Sequence, residues 1–272
     1  MIVESLYRGI ALTIAGSDSG GGAGIQADLK TFAALRVFGT TVITAITAQN
    51  SLTVSDIENL PPRIVAAQMD AVLSDFPVNA AKTGMLSCEK TILCVCDGIR
   101  RHGITRLVVD PVMIAQSGAS LIDAEAVAAI RQELLPLALL VTPNIPEAER
   151  LSGGPVKSVD DMASAARIIA GFGPKAVLVK GGHMIEGDVV TDILFANGAI
   201  TRFDSPRIPT ENTHGTGCTL SAAIAAELAA GSELPEAVRK GRQYLMLALK
   251  RSFRPGHGAG PLGHAVLAPW LS

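Results

Sequence analysis

Aromatic side chains are scarce in this sequence. They make up 4% of the 272 residues, although hydrophobic residues make up 48%. The core must therefore be built mainly from Ala, Val, Leu and Ile. Such side chains suit a sheet that is covered by closely packed helices, so the composition favours an α/β architecture.

Clusters of basic charge and long apolar runs are also missing. The formal net charge is −2, and no run of Lys or Arg stands out along the chain. Neither nucleic acid nor an anionic membrane is therefore expected as a partner. No apolar run is long enough to span a bilayer, and the first nine residues are too polar for a signal peptide.

The four cysteines form no metal-binding or disulfide pattern. None belongs to a C-x-x-C pair, and Cys94-Val95-Cys96 lacks a second ligand pair at zinc-finger spacing. Since no secretory signal is present, we expect reduced thiols in a cytoplasmic protein. Cys94 and Cys96 are interpreted as small buried residues of a helix.

Strand-like and helix-like segments alternate from residue 10 to residue 230 without a linker-like break. The apolar run at 107–112 shows no alternation, which is typical of a parallel strand buried on both faces. Asn197-Gly198 predicts a β-hairpin between two further strands. We therefore predict one α/β domain over residues 1–272, with a mostly parallel sheet, helices on both faces and a small antiparallel extension.

Two Gly-rich loops precede helix-like segments. The first, at 16–24, follows a strand expected over 10–15 and leads into a helix expected over 25–35. The second, N-T-H-G-T-G-C at 212–218, leads into an Ala-rich helical run. Glycine lets backbone N–H groups turn inward, and a helix N-terminus adds the positive end of its dipole. Each loop could therefore receive an anion such as a phosphate.

Neither loop matches a common nucleotide-binding signature. The P-loop has Lys after its last glycine, whereas Cys218 follows Gly217 here. The dinucleotide fingerprint belongs to a first βα turn, and the loop at 16–24 does not fit its spacing. For the second loop, an ordinary helix start that happens to contain glycine stays open as the alternative.

Polar side chains follow several of the predicted strands. Asp110 closes a fully apolar strand and is expected at the ligand-binding edge of the sheet. Gln49 follows the second strand, where it either faces a pocket or caps a turn. Asn144 and Glu147 form an N-x-x-E step, which a helix cap explains by itself. Asp28 lies one turn into the first helix, facing either a ligand or solvent.

Seven motifs cover nearly the whole chain: A-G-S-D-S-G-G-G-A-G-I-Q-A-D-L-K at 15–30, T-A-Q-N at 47–50, K-T-G-M-L at 82–86, D-P-V-M at 110–113, T-P-N-I-P-E-A-E at 142–149, V-K-G-G-H at 179–183 and N-T-H-G-T-G-C-T at 212–219. In this order they resemble the hydroxymethylpyrimidine/phosphomethylpyrimidine kinases of thiamine biosynthesis, which have the ribokinase-like fold.

The resemblance implies a kinase that uses ATP and Mg²⁺ to phosphorylate 4-amino-5-hydroxymethyl-2-methylpyrimidine. It then phosphorylates the monophosphate to the diphosphate. Partners would be these small molecules, and we expect a homodimer. A pyridoxal kinase of the same fold is the alternative, because both substrates are small heteroaromatic hydroxymethyl compounds. A catalytically inactive pyrimidine sensor is disfavoured, because the loop glycines and both carboxylates, Asp110 and Glu147, are intact.

The resemblance also implies a role for particular residues. The pyrimidine would be bound by Gly16, Asp28, Gln49, Met85 and Val112. The nucleotide would be bound by Asn144, Lys180, Gly182 and Arg242, and Mg²⁺ by Asp110 and Glu147. The catalytic anion hole would consist of Gly215, Thr216, Gly217 and Cys218.

Cys218 stands where sugar kinases of this fold have an aspartate base. A helix N-terminus can lower a thiol pKa from about 8.5 toward neutrality. We therefore expect Cys218 to act as a base when the acceptor is an alcohol. A phosphate acceptor is already ionised and needs none. A small packed residue is the alternative.

Three positions depart from the family pattern. Gln116 stands where the family often has Lys, and the tail at 258–264 differs from the usual G-H-G-P-V-N-H. Arg242 replaces a Lys that is expected near the phosphates. It keeps the charge but changes the geometry.

Overall fold

The computed structural model describes residues 6–113, 123–184 and 187–271. Gln116, one of the family departures, lies outside these ranges. The strands are β1 (Ile10–Asp18), β2 (Phe38–Gln49), β3 (Val54–Asn59), β4 (Ala80–Thr83), β5 (Leu107–Val109), β6 (Leu140–Val141), β7 (Ala176–Val179), β8 (Val189–Ala196) and β9 (Ala199–Pro206). The α-helices are α1 (Gly24–Ala34), α2 (Pro62–Leu73), α3 (Glu89–Arg101), α4 (Ala124–Ala129), α5 (Ile145–Ser152), α6 (Val159–Ala170), α7 (Thr216–Ala229) and α8 (Leu234–Lys250).

The strands form one sheet in the order β3-β2-β1-β4-β5-β6-β7-β8-β9. Pairing is parallel from β2 through β7 and antiparallel at both edges, where β3 joins β2 and the β8–β9 hairpin joins β7. The predicted fold class is therefore confirmed. The predicted hairpin turn is confirmed as well, since Asn197 and Gly198 have φ values of 50° and 77°, as a type I′ turn requires.

Helices cover both faces of the sheet. Successive strand residues point to opposite faces, so Ala11 and Leu12 of β1 belong to different apolar layers. One layer contains residues of α2 to α6, and the other contains residues of α1, α7 and α8, including Phe32 and Tyr244. Helix α7 is buried along most of its length, and its many alanines allow close packing against the sheet.

Three local features differ from the sequence analysis. Strand β1 continues past Ala15 to Asp18, because Ser17 and Asp18 still pair with β2 after a register shift. The edge strand β3 was missed, since most of its residues are exposed and its sequence is largely polar. The sequence also predicts a continuous helix over residues 123–134, but the structure has an α-helix at Ala124–Ala129 followed by a π-helix at Ile130–Leu134. Within the described residues, no helix has both the length and the hydrophobicity needed to cross a bilayer.

Candidate active site

Polar residues gather at one edge of the sheet because its central strands are parallel, so their carboxyl ends meet there. This edge carries the first Gly-rich loop after β1, Gln49 at the end of β2, and the residues directly after β5, β6 and β7. Helix α7 begins at the same edge, since Gly217 lies beside Asp110 and Lys180. Sequence-distant motifs are therefore brought together.

A lysine and two carboxylates form the centre of this edge. Lys180 Nζ lies 2.9 Å from Asp110 Oδ1 and 4.0 Å from Glu147 Oε2. Asp110 is 2% exposed and Glu147 is 4% exposed, whereas the Lys180 side chain keeps 13% of its surface. Asp110 also accepts hydrogen bonds from Thr142 Oγ1 and Ser221 Oγ, each at 3.3 Å.

Burial and charge act in opposite directions on these carboxylates. Burial raises the pKa of Asp110, but the ammonium groups of Lys180 and Lys82 outweigh it and hold that pKa below its usual value. Burial raises the pKa of Glu147 to about 7, with Lys180 opposing the shift and Asp110 adding to it. The centre therefore has one carboxylate that is firmly ionised and one that gains or loses a proton near neutral pH.

A helix cap fixes the position of Glu147. The Asn144 side chain accepts a hydrogen bond from Glu147 N at 2.9 Å, and Glu147 Oε2 accepts one from Asn144 N at 2.8 Å. This capping box confirms the N-x-x-E interpretation. Asn144 also forms a parallel β-bridge with Lys180, so the cap and the lysine are held side by side.

The second Gly-rich loop lies directly over this centre. Gly215 caps α7 with φ 82°, and a Cβ there would lie 1.9 Å from the Gly22 carbonyl oxygen. A Cβ on Gly217 would lie 3.4 Å from both Asp110 Oδ2 and Lys180 Nζ. The N–H groups of Gly217 and Cys218 precede the first intrahelical bond of α7, from Thr219 N to Gly215 O. They are therefore placed to receive an anion above Lys180.

Thr216 is the first residue of α7. Its hydroxyl donates a hydrogen bond of 2.6 Å to the Thr213 carbonyl oxygen, and its backbone N–H donates to the same oxygen at 3.2 Å. The loop is therefore stabilised from within at the residue that precedes Gly217.

Asp18 and His214 join the two Gly-rich loops, and the sequence analysis missed both. The Asp18 carboxylate accepts hydrogen bonds from the N–H groups of Gly20, Gly22 and Ala23 at 2.8–3.0 Å. His214 Nε2 lies 2.9 Å from Asp18 Oδ2. An Asp before Ser-Gly-Gly is typical of a side chain that bonds to the backbone two residues on, which was the available signal.

Residues expected around a pyrimidine lie next to these loops. A Cβ on Gly16 would lie 2.7 Å from the Met85 methyl carbon, so Gly16 and Met85 are in contact. Gln49 Nε2 lies 3.4 Å from His214 Nε2, between the first loop and the anion hole. Val112 is half-buried and its N–H donates to Asp110 O at 2.8 Å. Four of the five expected substrate residues therefore border this edge.

Asp28 is the exception and corrects the sequence analysis. Its side chain is fully buried, and its two oxygens lie 2.9 and 2.8 Å from Lys82 Nζ. Thr13 Oγ1 donates a further bond of 2.6 Å. Burial lowers the pKa of Lys82, but Asp28 outweighs that effect and raises it above the ordinary value. Asp28 is thus the buried counterion of Lys82, facing neither solvent nor an open loop.

Cys218 also differs from expectation. Burial raises the pKa of its thiol to about 11, although the Lys82 charge and a backbone hydrogen bond with Gly24 oppose the rise. The predicted shift toward neutrality is therefore wrong. The cost of removing a thiolate from water exceeds the stabilisation that a helix N-terminus and one lysine supply.

Arg242 does not lie free at the phosphate loop. Its Nε donates to Asp192 Oδ2 at 2.7 Å, and its terminal nitrogen donates to Phe203 O and Ser205 Oγ. The contacts shown for Arg242 are therefore with β8 and β9, and its expected nearness to the phosphates stays a prediction. Gly182, by contrast, has open space beside its Cα, where a ligand can approach.

The mostly parallel sheet, with a Gly-rich helix start above a lysine–carboxylate centre, places the chain in the ribokinase-like class of kinases, in agreement with its relatives of known structure. Residues 18–263 match the family described as phosphomethylpyrimidine kinase. The chain belongs to the phosphomethylpyrimidine kinase family.

Individual relatives agree with this assignment. A hydroxymethylpyrimidine/phosphomethylpyrimidine kinase of Rhizobium meliloti is 54% identical, covering 94% of this chain and 96% of the relative. The thiamine biosynthesis bifunctional protein ThiED of Geobacter sulfurreducens is 51% identical over 96% of this chain, which spans 53% of that longer protein. An ADP complex of Bacillus subtilis pyridoxal kinase is similar in structure, with a TM-score of 0.90 and 38% identity over 97% of this chain and 99% of the other.

Proposed function

We propose that this enzyme transfers phosphate from ATP to 4-amino-5-hydroxymethyl-2-methylpyrimidine and then to the resulting monophosphate. The observation that carries the proposal is the placement of the α7 N-terminus over Asp110 and Lys180, at the same sheet edge as Gly16, Met85 and Gln49. Phosphoryl transfer depends mainly on positioning and on stabilising negative charge, and this arrangement supplies both. The named activities of the relatives support the same choice of substrates.

The N–H groups at the start of α7 receive the negative charge of the transferring phosphoryl group in this proposal. Lys180 adds a positive charge from below, and Asp110 holds its ammonium group in place at 2.9 Å. Gln49 offers both a donor and an acceptor, which suits the ring nitrogen and exocyclic amine of an aminopyrimidine. Asn144 and Gly182 border the end where the nucleotide binds.

Asp110 and Glu147 fit a magnesium ion that arrives with the nucleotide. Both are buried carboxylates close to one lysine, and Mg²⁺ prefers such oxygen ligands. The described residues contain no group of three or more His, Cys, Asp or Glu side chains placed for a metal. With two carboxylates as protein ligands, waters and phosphate oxygens would complete the octahedral shell of Mg²⁺. When bound, the ion neutralises phosphate charge.

Cys218 serves the two acceptors differently in this proposal. With a pKa of about 11, the thiol is neutral at pH 7 and does not repel a phosphorylated acceptor, as a carboxylate would. Removing a proton from the alcohol acceptor requires the thiolate, which becomes more abundant as the pH rises. The monophosphate acceptor is already ionised and does not need this step.

Pyridoxal phosphorylation is the second candidate. The structural similarity to a pyridoxal kinase, at a TM-score of 0.90, favours it as an additional activity. Gln49 favours the aminopyrimidine, because its amide matches the ring nitrogen and the amine together.

ATP consumption with hydroxymethylpyrimidine, its monophosphate and pyridoxal, measured side by side, tests the proposal. We expect turnover with both pyrimidines, and turnover on pyridoxal alone would overturn it. Gln49→Glu should raise KM for hydroxymethylpyrimidine and leave KM for ATP unchanged, because it replaces the donor with an acceptor. Gln243→Glu, an exposed change on α8, is the matched control.

We also infer that residues 1–272 act as one domain and that the enzyme is a cytoplasmic homodimer. Support for one domain comes from the continuous sheet. The exposed apolar side chains of Ile46 in β2, Leu52 in the turn that follows and Ile57 in β3 are compatible with a subunit contact. Light scattering after size-exclusion chromatography tests the dimer, and a monomeric mass at micromolar concentration would contradict it.

A further inference from the structure

Arg242 connects α8 to the β8–β9 hairpin through several contacts. Its Nε lies 2.7 Å from Asp192 Oδ2, and its terminal nitrogen donates to Phe203 O at 3.1 Å and Ser205 Oγ at 3.2 Å. The guanidinium carbon also lies 5.3 Å from the centre of the Phe203 ring. Only 11% of the side chain is exposed. Its donors are thus directed at the hairpin.

Asp192 carries this connection to the nucleotide end of the site. Its Oδ1 accepts a hydrogen bond of 2.8 Å from Gly181 N, while its Oδ2 is held by Arg242. Each carboxylate oxygen therefore has one of these two partners. The arginine fixes the orientation in which the carboxylate meets the first backbone N–H after Lys180.

The backbone at Gly181 is held closely as well. A Cβ there would lie 1.9 Å from the Thr191 carbonyl oxygen, so the chain rests directly on β8. A 3₁₀ turn, Gly181–His183, follows. Lys180 lies just before this turn and reaches Asp110 at 2.9 Å. A shift of Gly181 would therefore move the lysine and the glycine turn together.

We propose that Arg242 is a positioning residue that acts through Asp192 to hold the Lys180–Gly181 step in place for the nucleotide. This inference rests on the proposed function, because it assumes that ATP binds at this end of β7. It differs from the role that the family resemblance implies, in which the charge at position 242 meets the phosphates directly. A positioning role requires Asp192 to contact Arg242 and Gly181 at the same time, whereas a direct phosphate contact by Arg242 does not require Asp192.

Kinetics of Arg242→Gln, Asp192→Asn and the double variant separate the two roles. The amide introduced by Asp192→Asn cannot accept from both Gly181 and Arg242, because one of its ends is a donor. We expect each single variant to raise KM for ATP about tenfold, as losing a charged hydrogen bond does. The double variant should match the singles, because both changes break one chain of contacts. KM for the pyrimidine should stay unchanged, and so should every constant in Arg239→Gln, an exposed change on the same helix.

Hydrogen–deuterium exchange in the free enzyme provides a readout that does not depend on activity. The Gly181 amide should exchange faster in Arg242→Gln and in Asp192→Ala, which removes both acceptor oxygens, and at the wild-type rate in Arg239→Gln. If Arg242→Gln fails to fold by circular dichroism, the exchange test uses Asp192→Ala and the kinetic test uses Asp192→Asn.

Two results would overturn the positioning role of Arg242. One is an unchanged Gly181 exchange rate in folded Arg242→Gln or in folded Asp192→Ala. The other is an unchanged KM for ATP in Asp192→Asn together with a reduced kcat in Arg242→Gln, which is the result for a direct phosphate contact. A wild-type enzyme without kinase activity would refute the proposed function, while the exchange rates would still decide whether Arg242 and Asp192 position Gly181.

Discussion

Two lysine–carboxylate pairs lie near the carboxyl ends of the central strands, and their surroundings differ. Lys82 of β4 and Asp28 of α1 are fully buried, and both oxygens of Asp28 bind the lysine. Lys180 keeps 13% of its side chain exposed, and its ammonium group is shared between Asp110 and Glu147. A closed pair satisfies its own charges, whereas the open pair retains charge for a ligand. We therefore assign binding to the second pair and internal support to the first.

The largest expected effect is on activity when the open pair is broken. Asp110→Asn should lower kcat by about 10²–10³-fold, since it removes a charge that fixes Lys180, which the proposed function places at the transferring phosphate. Steady-state kinetics with hydroxymethylpyrimidine measure the change. Asp204→Asn, an exposed carboxylate on β9, is the control and should match the wild type. A loss below about threefold in Asp110→Asn would remove the open pair from the mechanism.

Breaking the closed pair should affect stability most. Lys82→Met leaves Asp28 buried without its partner and should lower the free energy of unfolding by about 3–5 kcal/mol at pH 7. Adding Asp28→Asn should restore most of that loss, since the buried charge is then gone. Urea unfolding measures all three proteins. Arg101→Met, which breaks an exposed pair with Asp70, should cost at most about 1 kcal/mol. A double variant as unstable as Lys82→Met would contradict the pairing.

Charges of both pairs act on Cys218, and its ionisation gives a third test. Since the pKa of the thiol is raised to about 11, the thiolate fraction grows about tenfold per pH unit below that value. The rate of the first phosphorylation should therefore rise from pH 7 to pH 9, while the rate of the second stays nearly flat.

The same assays on Cys218→Ser and Cys218→Asp sharpen this test. Cys218→Ser should lose the pH-dependent rise in the first step, and Cys218→Asp should impair mainly the second step through repulsion. Equal losses in both steps would rule out the distinct roles proposed for the thiol.

The smallest effect is expected at the cap that supports the open pair. Asn144→Ala removes one bond of the capping box and should cost about 1 kcal/mol of stability. It should also raise KM for ATP slightly, because Asn144 and Lys180 are bridged. The matched control is Ser158→Ala, which removes the cap of α6 and should lower stability alone. An equal change in KM for ATP in both variants would contradict the hypothesis that the Asn144 cap supports nucleotide binding specifically.

Local signals allowed much of this site to be predicted. The strand before Asp110 is continuously apolar, and glycines mark both loops, so the sequence places these features at one edge. The N-x-x-E step likewise contains both partners of its cap within four residues. Such features depend on neighbours in the chain, which a sequence pattern records directly.

Contacts between distant residues were out of reach. Lys82 and Asp28 are 54 positions apart, and Arg242 and Asp192 are 50 apart, so neither pairing leaves a local pattern. The pKa of Cys218 was predicted in the wrong direction for a related reason. A helix N-terminus can be recognised from the sequence, but how far the half-buried thiol is desolvated depends on the packing of the whole fold.

The contrast between the two pairs is tested most directly by measuring kcat for hydroxymethylpyrimidine in Lys180→Met and in the Lys82→Met, Asp28→Asn double variant. Lys180→Met should lose activity by at least about 100-fold, because the charge at the phosphate is gone. The folded double variant should stay within about tenfold of wild type, since its pair serves mainly as support. A double variant as inactive as Lys180→Met would contradict the division between a binding pair and a supporting pair.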